Sequence, residues 1–82
     1  MRIPRDVGAE DLISLLRLYG DQPTRQTGSH IRLTTALNGE HHVTIPRHKP
    51  LRVGTVSAIL KDIADHLKTD WHALAEKLFG RQ

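Results

Sequence analysis

The alternation of apolar and polar residues on either side of Asn38-Gly39 constrains this chain more than any other feature. Ile31 and Leu33 alternate with His30, Arg32 and Thr34, and Val43 and Ile45 alternate with His42 and Thr44. A period of two marks half-buried strands, and Asn-Gly between them marks a hairpin. Loop length then decides which residues face one another. A two-residue Asn38-Gly39 loop pairs Leu33 with Thr44 and mixes apolar with polar residues on one face. A three-residue loop, Leu37-Asn38-Gly39, pairs Leu33 with Val43 and Ile31 with Ile45. The second choice collects all four apolar side chains on one face, as one-sided burial requires. Gly39 suits the left-handed position at the end of such a loop. The other face then carries His30, Arg32, Thr34, His42 and Thr44, with no large apolar residue.

The segments around the hairpin read as helices and one further strand. Leu12, Ile13, Leu16 and Tyr19 form a helical stripe, widened by Leu15, which predicts a helix over 9–19. Glu10 and Asp11 favour the positive end of its dipole, and Gly20 suits a left-handed cap. After the tight Asp21-Gln22-Pro23 connection, Thr24–Thr27 reads as a short strand, and Gly28 breaks it with a turn. Strands over 29–36 and 40–45 follow. Val56, Ile59, Leu60, Ile63 and Leu67 predict a helix from Gly54 or Thr55 to Leu67. Thr69 or Asp70 can cap a last helix over 71–78, with Leu74, Leu78 and Phe79 as its buried side. The expected fold is α+β in the order α-β-β-β-α plus a short C-terminal helix. A three-stranded antiparallel sheet has its helices packed on one face and its other face open. Residues 1–82 read as a single domain.

Composition narrows the chemistry. With Tyr19, Trp71 and Phe79 as the only aromatics, the core must be aliphatic. The chain has no cysteine, which removes disulfides, thiolate metal sites and a cysteine nucleophile. No stretch is long and apolar enough for a membrane helix, and residues 1–6 lack a signal peptide's apolar run, so a cytoplasmic location is expected. The net charge of +3 is unevenly placed: Arg25, Arg32, Arg47, Lys49 and Arg52 stand against Glu40 alone between positions 25 and 52. His30, His41, His42 and His48 share that stretch. Such a concentration of cations fits a polyanion partner or a solvated basic surface. A metal site is not expected, because His41 and His42 are neighbours on a strand and point to opposite faces.

Two ordered sets of residues carry a resemblance. Arg25-Gln26-Thr27-Gly28-Ser29-His30 leads into a strand, and Val43-Thr44-Ile45-Pro46-Arg47-His48 follows the hairpin. Leu51, Gly54-Thr55 and Ile59-Leu60-Lys61 then open a helix. The element order is that of the double-stranded-RNA-binding fold, and the succession resembles the HicA toxin family from about Leu12 to Leu78. The resemblance implies a toxin of a type II toxin–antitoxin pair that is an endoribonuclease, an mRNA interferase. It implies that His30, the histidine of Gly-Ser-His, is catalytic, and that a HicB antitoxin binds the toxin and blocks its active face. The chain departs from the family at Gly20, which is followed by Asp21-Gln22-Pro23 where an aromatic is common. It also extends over residues 1–7 beyond the family's usual start.

The residues agree with that chemistry. Cleavage of RNA by its own 2′-hydroxyl needs a base, an acid, and cations to stabilise the phosphorane-like state. Histidine suits proton transfer because its ordinary pKa, roughly 6.5, lies near working pH. Arginine and lysine suit the charge. His30 is the expected general acid/base, and His48 the candidate second group, since the Ile31–Ile45 pairing brings the start of Pro46-Arg47-His48 near it. His42 lies further along the hairpin. Arg25, Arg32, Arg47 and Lys49 are expected RNA contacts, with the backbone of Gly28 and Ser29. No cofactor or metal is expected. The alternative is a non-catalytic RNA-binding module of the same fold, or a basic face serving only a protein partner. His66 and His72 are expected at the surface, and Trp71 in the core or at an interface.

Overall fold

The computed structural model describes residues 3–80. Helix α1 spans Ala9–Leu16 and continues into a 3₁₀ turn at Arg17–Tyr19. Strands β1 (Gln22–Thr27), β2 (His30–Thr35) and β3 (His41–Pro46) follow, then helices α2 (Val53–Leu67) and α3 (Trp71–Phe79). The three strands form one antiparallel sheet in the order β1-β2-β3. This is the α+β arrangement expected from the sequence.

The β2–β3 register is the one that one-sided burial demanded. Ile31 pairs with Ile45 and Leu33 with Val43. All four are buried, while His30, His42 and Thr44 between them are exposed. In the hairpin loop both Asn38 (φ 58°) and Gly39 (φ 97°) take left-handed conformations, which asparagine and glycine tolerate best. Helices α1 and α2 cover the apolar face. Leu12, Ile13 and Leu16 of α1 join Val56, Ile59, Leu60 and Ile63 of α2 in a core with the four strand residues. Each fully buried leucine or isoleucine contributes about 1.5–3 kcal/mol of transfer free energy.

The helices end where local chemistry stops them. Asp11 Oδ2 accepts the Gly8 N–H at 2.9 Å, so the first turn of α1 satisfies a donor that the helix leaves free. The last turn of α1 tightens to 3₁₀, and Gly20 (φ 81°) reverses the chain. Gly20 also sits against β2: a Cβ there would lie 3.0 Å from Thr35 Oγ1. That buried hydroxyl donates to Tyr19 O at 2.9 Å and accepts from Leu37 N–H at 3.0 Å, tying α1 to the hairpin. Helix α2 closes on Lys68 in a left-handed conformation (φ 57°), with Thr69 N–H reaching back to Ala64 O. Of the two caps expected for α3, Asp70 serves: its Oδ2 accepts from Ala73 N–H at 3.2 Å. Phe79, expected in the core, packs only partly buried against it, as does Trp71.

The segment before α1 belongs to the fold. Ile3 and Val7 are buried in the core, Val7 O accepts from Leu51 N–H at 2.7 Å, and His48 O accepts from Ala9 N–H at 3.0 Å. Residues 3–9 therefore pack beside the 48–51 connection that leads into α2.

A polar cluster lies between the hairpin tip and the ends of α1 and α2. His66 Nε2 donates to Leu37 O at 2.9 Å and to Gly39 O at 3.0 Å, and Asn38 Nδ2 donates to His66 O at 2.8 Å. His66 is thus a half-buried clamp on the loop rather than the surface residue expected from its helix position. His41 stacks on it with ring centroids 4.3 Å apart, and bonds Asp62 Oδ1 through Nε2 at 3.2 Å. Asp21, which follows Gly20, is 1% exposed. Neither of its carboxylate oxygens has a hydrogen-bond partner among the described residues. Burial pushes its pKa above the usual carboxylate value, and the nearby His41 and His66 oppose that rise.

The raised pKa sets a sign. A carboxyl that holds its proton more tightly when folded contributes stability below its unfolded pKa, and loses it as pH rises through the folded value. Asp21→Asn should therefore gain stability relative to wild type between acidic and neutral pH, on the order of 1 kcal/mol for relief of an unsatisfied buried group. Urea denaturation of both proteins across that range checks this, and a wild type that gains on the variant as pH rises contradicts it.

Candidate functional site

The open face of the sheet gathers its residues in rows set by strand pairing. His30 stands between Thr27 of β1 and Pro46 of β3. Arg32, in the next row, stands between Arg25 and Thr44. A bulge at Thr24 shifts the β1 register, so that Pro23 pairs with Leu33 while Arg25 pairs with Arg32. Without the bulge, residues two apart on β1 would share a face. The bulge thus leaves Arg25 on the open side and gives Pro23, on an edge strand, a place where a missing N–H is tolerated.

Arg25, Thr27, His30, Arg32 and Thr44 together line a hollow of about 270 Å³. It places one imidazole between two guanidinium groups and two hydroxyls. His30 is exposed and Arg32 half-buried. Among the described residues neither arginine of this hollow has an ion-pair partner, so both charges are available to an anion.

The turn that presents His30 is short. Gly28 and Ser29 connect Thr27 to His30, and Gly28 alone of the two takes a positive φ, 57°. Positive φ at the first central position fits a type II′ hairpin turn, whose twist matches the flanking strands. Ser29 O accepts Arg47 N–H at 2.6 Å, which locks this turn to the end of β3.

The other expected residues are divided. Arg47 leaves the sheet face: its Nε lies 3.4 Å from Glu10 Oε2 on α1. His48 follows Pro46, the neighbour of His30, yet its side chain lines two other hollows. One includes Lys49, Leu51, Arg52 and Thr55, and the other lies beside Gly8 and Glu10 of α1. The hollow around His30 does not include it. His42 is on the open face, held between Thr34 Oγ1 at 2.8 Å and Glu40 Oε2 at 3.2 Å. Its partner Thr34 is four residues from His30 along β2, roughly 13 Å at the rise of a strand. Thr24 Oγ1 meets Thr34 Oγ1 at 2.7 Å and completes a polar chain across that row. Among the described residues, no group of three or more histidines and carboxylates is arranged to hold a metal ion.

Thr27 and Thr44 were not singled out from the sequence, although the hairpin register already places Thr44 opposite Arg32. The bulge at Thr24 left no signal in the pattern, because β1 is exposed along its whole length and has no apolar alternation.

The sequence profile of the HicA toxin of bacterial toxin–antitoxin matches residues 9–64, more than half of the 82. The chain belongs to the HicA toxin family. The match runs from the start of α1 through the three strands and most of α2, and so contains the Gly28-Ser29-His30 turn and every residue of its hollow. Searches of curated proteins and of solved structures found no match. Family membership makes this HicA-family chain the toxin of a toxin–antitoxin pair, and so implies an antitoxin partner. No helix among the described residues is long and apolar enough to cross a membrane.

The turn supplies a local test. A Cβ on Gly28 would meet nothing within 4 Å, so the cost of a side chain there is backbone strain alone. Gly28→Ala should lose about 1 kcal/mol of stability, and Gly28→Asn distinctly less, because asparagine tolerates left-handed backbone. Urea denaturation midpoints of the two variants check this. Equal losses would show that the turn is not held in that conformation.

Proposed function

We propose that this HicA-family toxin is a metal-independent endoribonuclease that cleaves messenger RNA, with His30 as general acid/base. The supporting observation is the hollow that sets the His30 imidazole among Arg25, Arg32, Thr27 and Thr44 on a sheet face open to solvent. An RNA phosphate seated there has two guanidinium groups to bind its non-bridging oxygens. These groups stabilise the extra negative charge that develops when the 2′-hydroxyl attacks phosphorus. His30 takes the proton of the attacking hydroxyl or returns one to the departing 5′-oxygen. The Gly28-Ser29 turn positions the imidazole at the edge of the hollow. Lys49, in the connection that follows β3, adds a cation beyond the site, whereas Arg47 is engaged by Glu10.

The proposed type II partner, a HicB antitoxin, blocks the toxin by covering this same face. The work of the toxin is then cytoplasmic, where messenger RNA is available.

A second reading is favoured by one observation: His30 is the only acid/base of the hollow. His48, the expected partner, lines other cavities. A face with one imidazole and several cations also describes a non-catalytic RNA-binding module. The two readings differ in cleavage. Purified wild-type protein should cut single-stranded RNA with or without a chelator. His30→Ala should lower the rate at least about 100-fold, the range of a general acid/base contribution. Its stability should change by no more than about 0.5 kcal/mol, because the residue is exposed. Tight RNA binding without cleavage by the wild type favours the binding module, and unchanged cleavage by His30→Ala removes His30 from the chemistry.

A further inference from the structure

A second hollow lies apart from the one at His30. It has a volume of about 850 Å³ and lies where the N-terminal segment, the start of α2 and the start of α3 meet. Its walls include the apolar side chains of Ile3, Leu51, Val53 and Trp71, and the cations Arg5 and Arg52. Ile3, Arg5 and Trp71 fall outside residues 9–64, so segments flanking the family match build much of this site.

We propose that this hollow is a nucleotide subsite for the RNA strand whose phosphate sits at His30. The proposal rests on the RNA-cleavage reading given above. Three observations point the same way. First, the lining combines an apolar wall with guanidinium groups, which matches an unpaired base joined to its phosphate. Trp71 contributes an indole that already meets the His72 ring, centroids 4.2 Å apart, and its remaining surface suits base–aromatic stacking, which tolerates any base. The Lys61 ammonium lies 5.1 Å from the Trp71 ring centroid but belongs to a different hollow, so Trp71 forms a wall between the two.

Second, Arg5 and Arg52 are exposed and lack an ion-pair partner among the described residues. An apolar partner covering them would strand two desolvated charges, whereas a polyanion satisfies them.

Third, a neighbouring hollow lies between this one and the strand partner of His30. Leu51 and Arg52 also line a neighbouring hollow of about 540 Å³ that reaches Pro46 and His48. Pro46 is the strand partner of His30. An RNA strand leaving the His30 hollow past Pro46 thus meets two adjoining depressions edged by His48, Lys49 and Arg52. An acidic protein would satisfy the same arginines, but the place of Pro46 beside His30 in the sheet favours RNA. In this arrangement His48 contacts the strand between the two sites, away from the proton transfer at His30.

Trp71 is the only tryptophan, so the emission comes from the wall of this hollow, and the arginine variants assign a response to this side of it. The His30→Ala protein is titrated with a short single-stranded oligoribonucleotide, with anisotropy of the labelled RNA recording total binding. The expected result is a change in Trp71 emission that saturates together with the anisotropy. Arg5→Gln/Arg52→Gln in the same background should bind about tenfold more weakly near physiological salt, with a log–log salt slope shallower by about 1.4 for two lost contacts. RNA that binds with silent Trp71 emission and unchanged affinity in the double variant overturns the subsite. Emission that responds to an acidic peptide and not to RNA also overturns it, and assigns the hollow to a protein partner. Wild-type protein that neither binds nor cuts RNA removes the cleavage reading and the subsite together. Intact cleavage with a silent Trp71 removes the subsite alone.

Discussion

The pairing of Ile31 with Ile45 and Leu33 with Val43 is the constraint on which the rest of this structure depends. It places four aliphatic side chains against α1 and α2, and by the same step turns His30, Arg32, Thr34, His42 and Thr44 to the other side. A slip of one residue would exchange the two sets and bury two histidines and an arginine without partners. Core and candidate site are therefore two consequences of one register. The register is held from both ends. At the loop, His66 and Asn38 tie the hairpin to α2, and Thr35 ties it to α1. At the other end, Ser29 O and Arg47 N–H join the Gly28-Ser29 turn to β3.

This arrangement leaves one buried conflict. Asp21 sits near His41 and His66 with no hydrogen-bond partner for its oxygens among the described residues. The position lies at the far end of the hairpin from His30, where α1 meets the sheet. Its charge is an electrostatic feature of the fold rather than of the candidate site. The Coulombic influence of His41 and His66 opposes part of the effect of the carboxyl's desolvation.

The sequence made legible what periodicity controls. The stripes of α1 and α2, the apolar face of the hairpin and its register all follow from spacing, and so does the open face that bears His30. The loop between the strands is longer than the three residues expected, because pairing stops at Thr35 and His41. Other features depend on contacts between distant segments. Nothing in the residues of β1 marks the bulge at Thr24, because a fully exposed edge strand has no apolar alternation to interrupt. The clamp by His66 requires the C-terminal end of α2 to lie over the hairpin tip, which no local pattern encodes. His48 shows the limit most clearly. Its place next to Arg47 in the chain is near His30 in the ladder, but its side chain leaves the sheet with the connection to α2. The large hollow at Trp71 joins residues from both ends of the chain, and no motif announces it.

Family membership and geometry meet at His30. The family makes the chain a toxin, and the structure sets that histidine between two arginines that have no ion-pair partner among the described residues. The proposed chemistry uses the substrate's own 2′-hydroxyl as nucleophile, with the protein supplying proton transfer and charge. The ends of the products test that account most directly. Cleavage by the wild-type protein should leave a 2′,3′-cyclic phosphate and a 5′-hydroxyl, and a 2′-deoxy nucleotide at the cleaved position should block it. A 5′-phosphate on the product, or undiminished cutting next to the 2′-deoxy nucleotide, would contradict it.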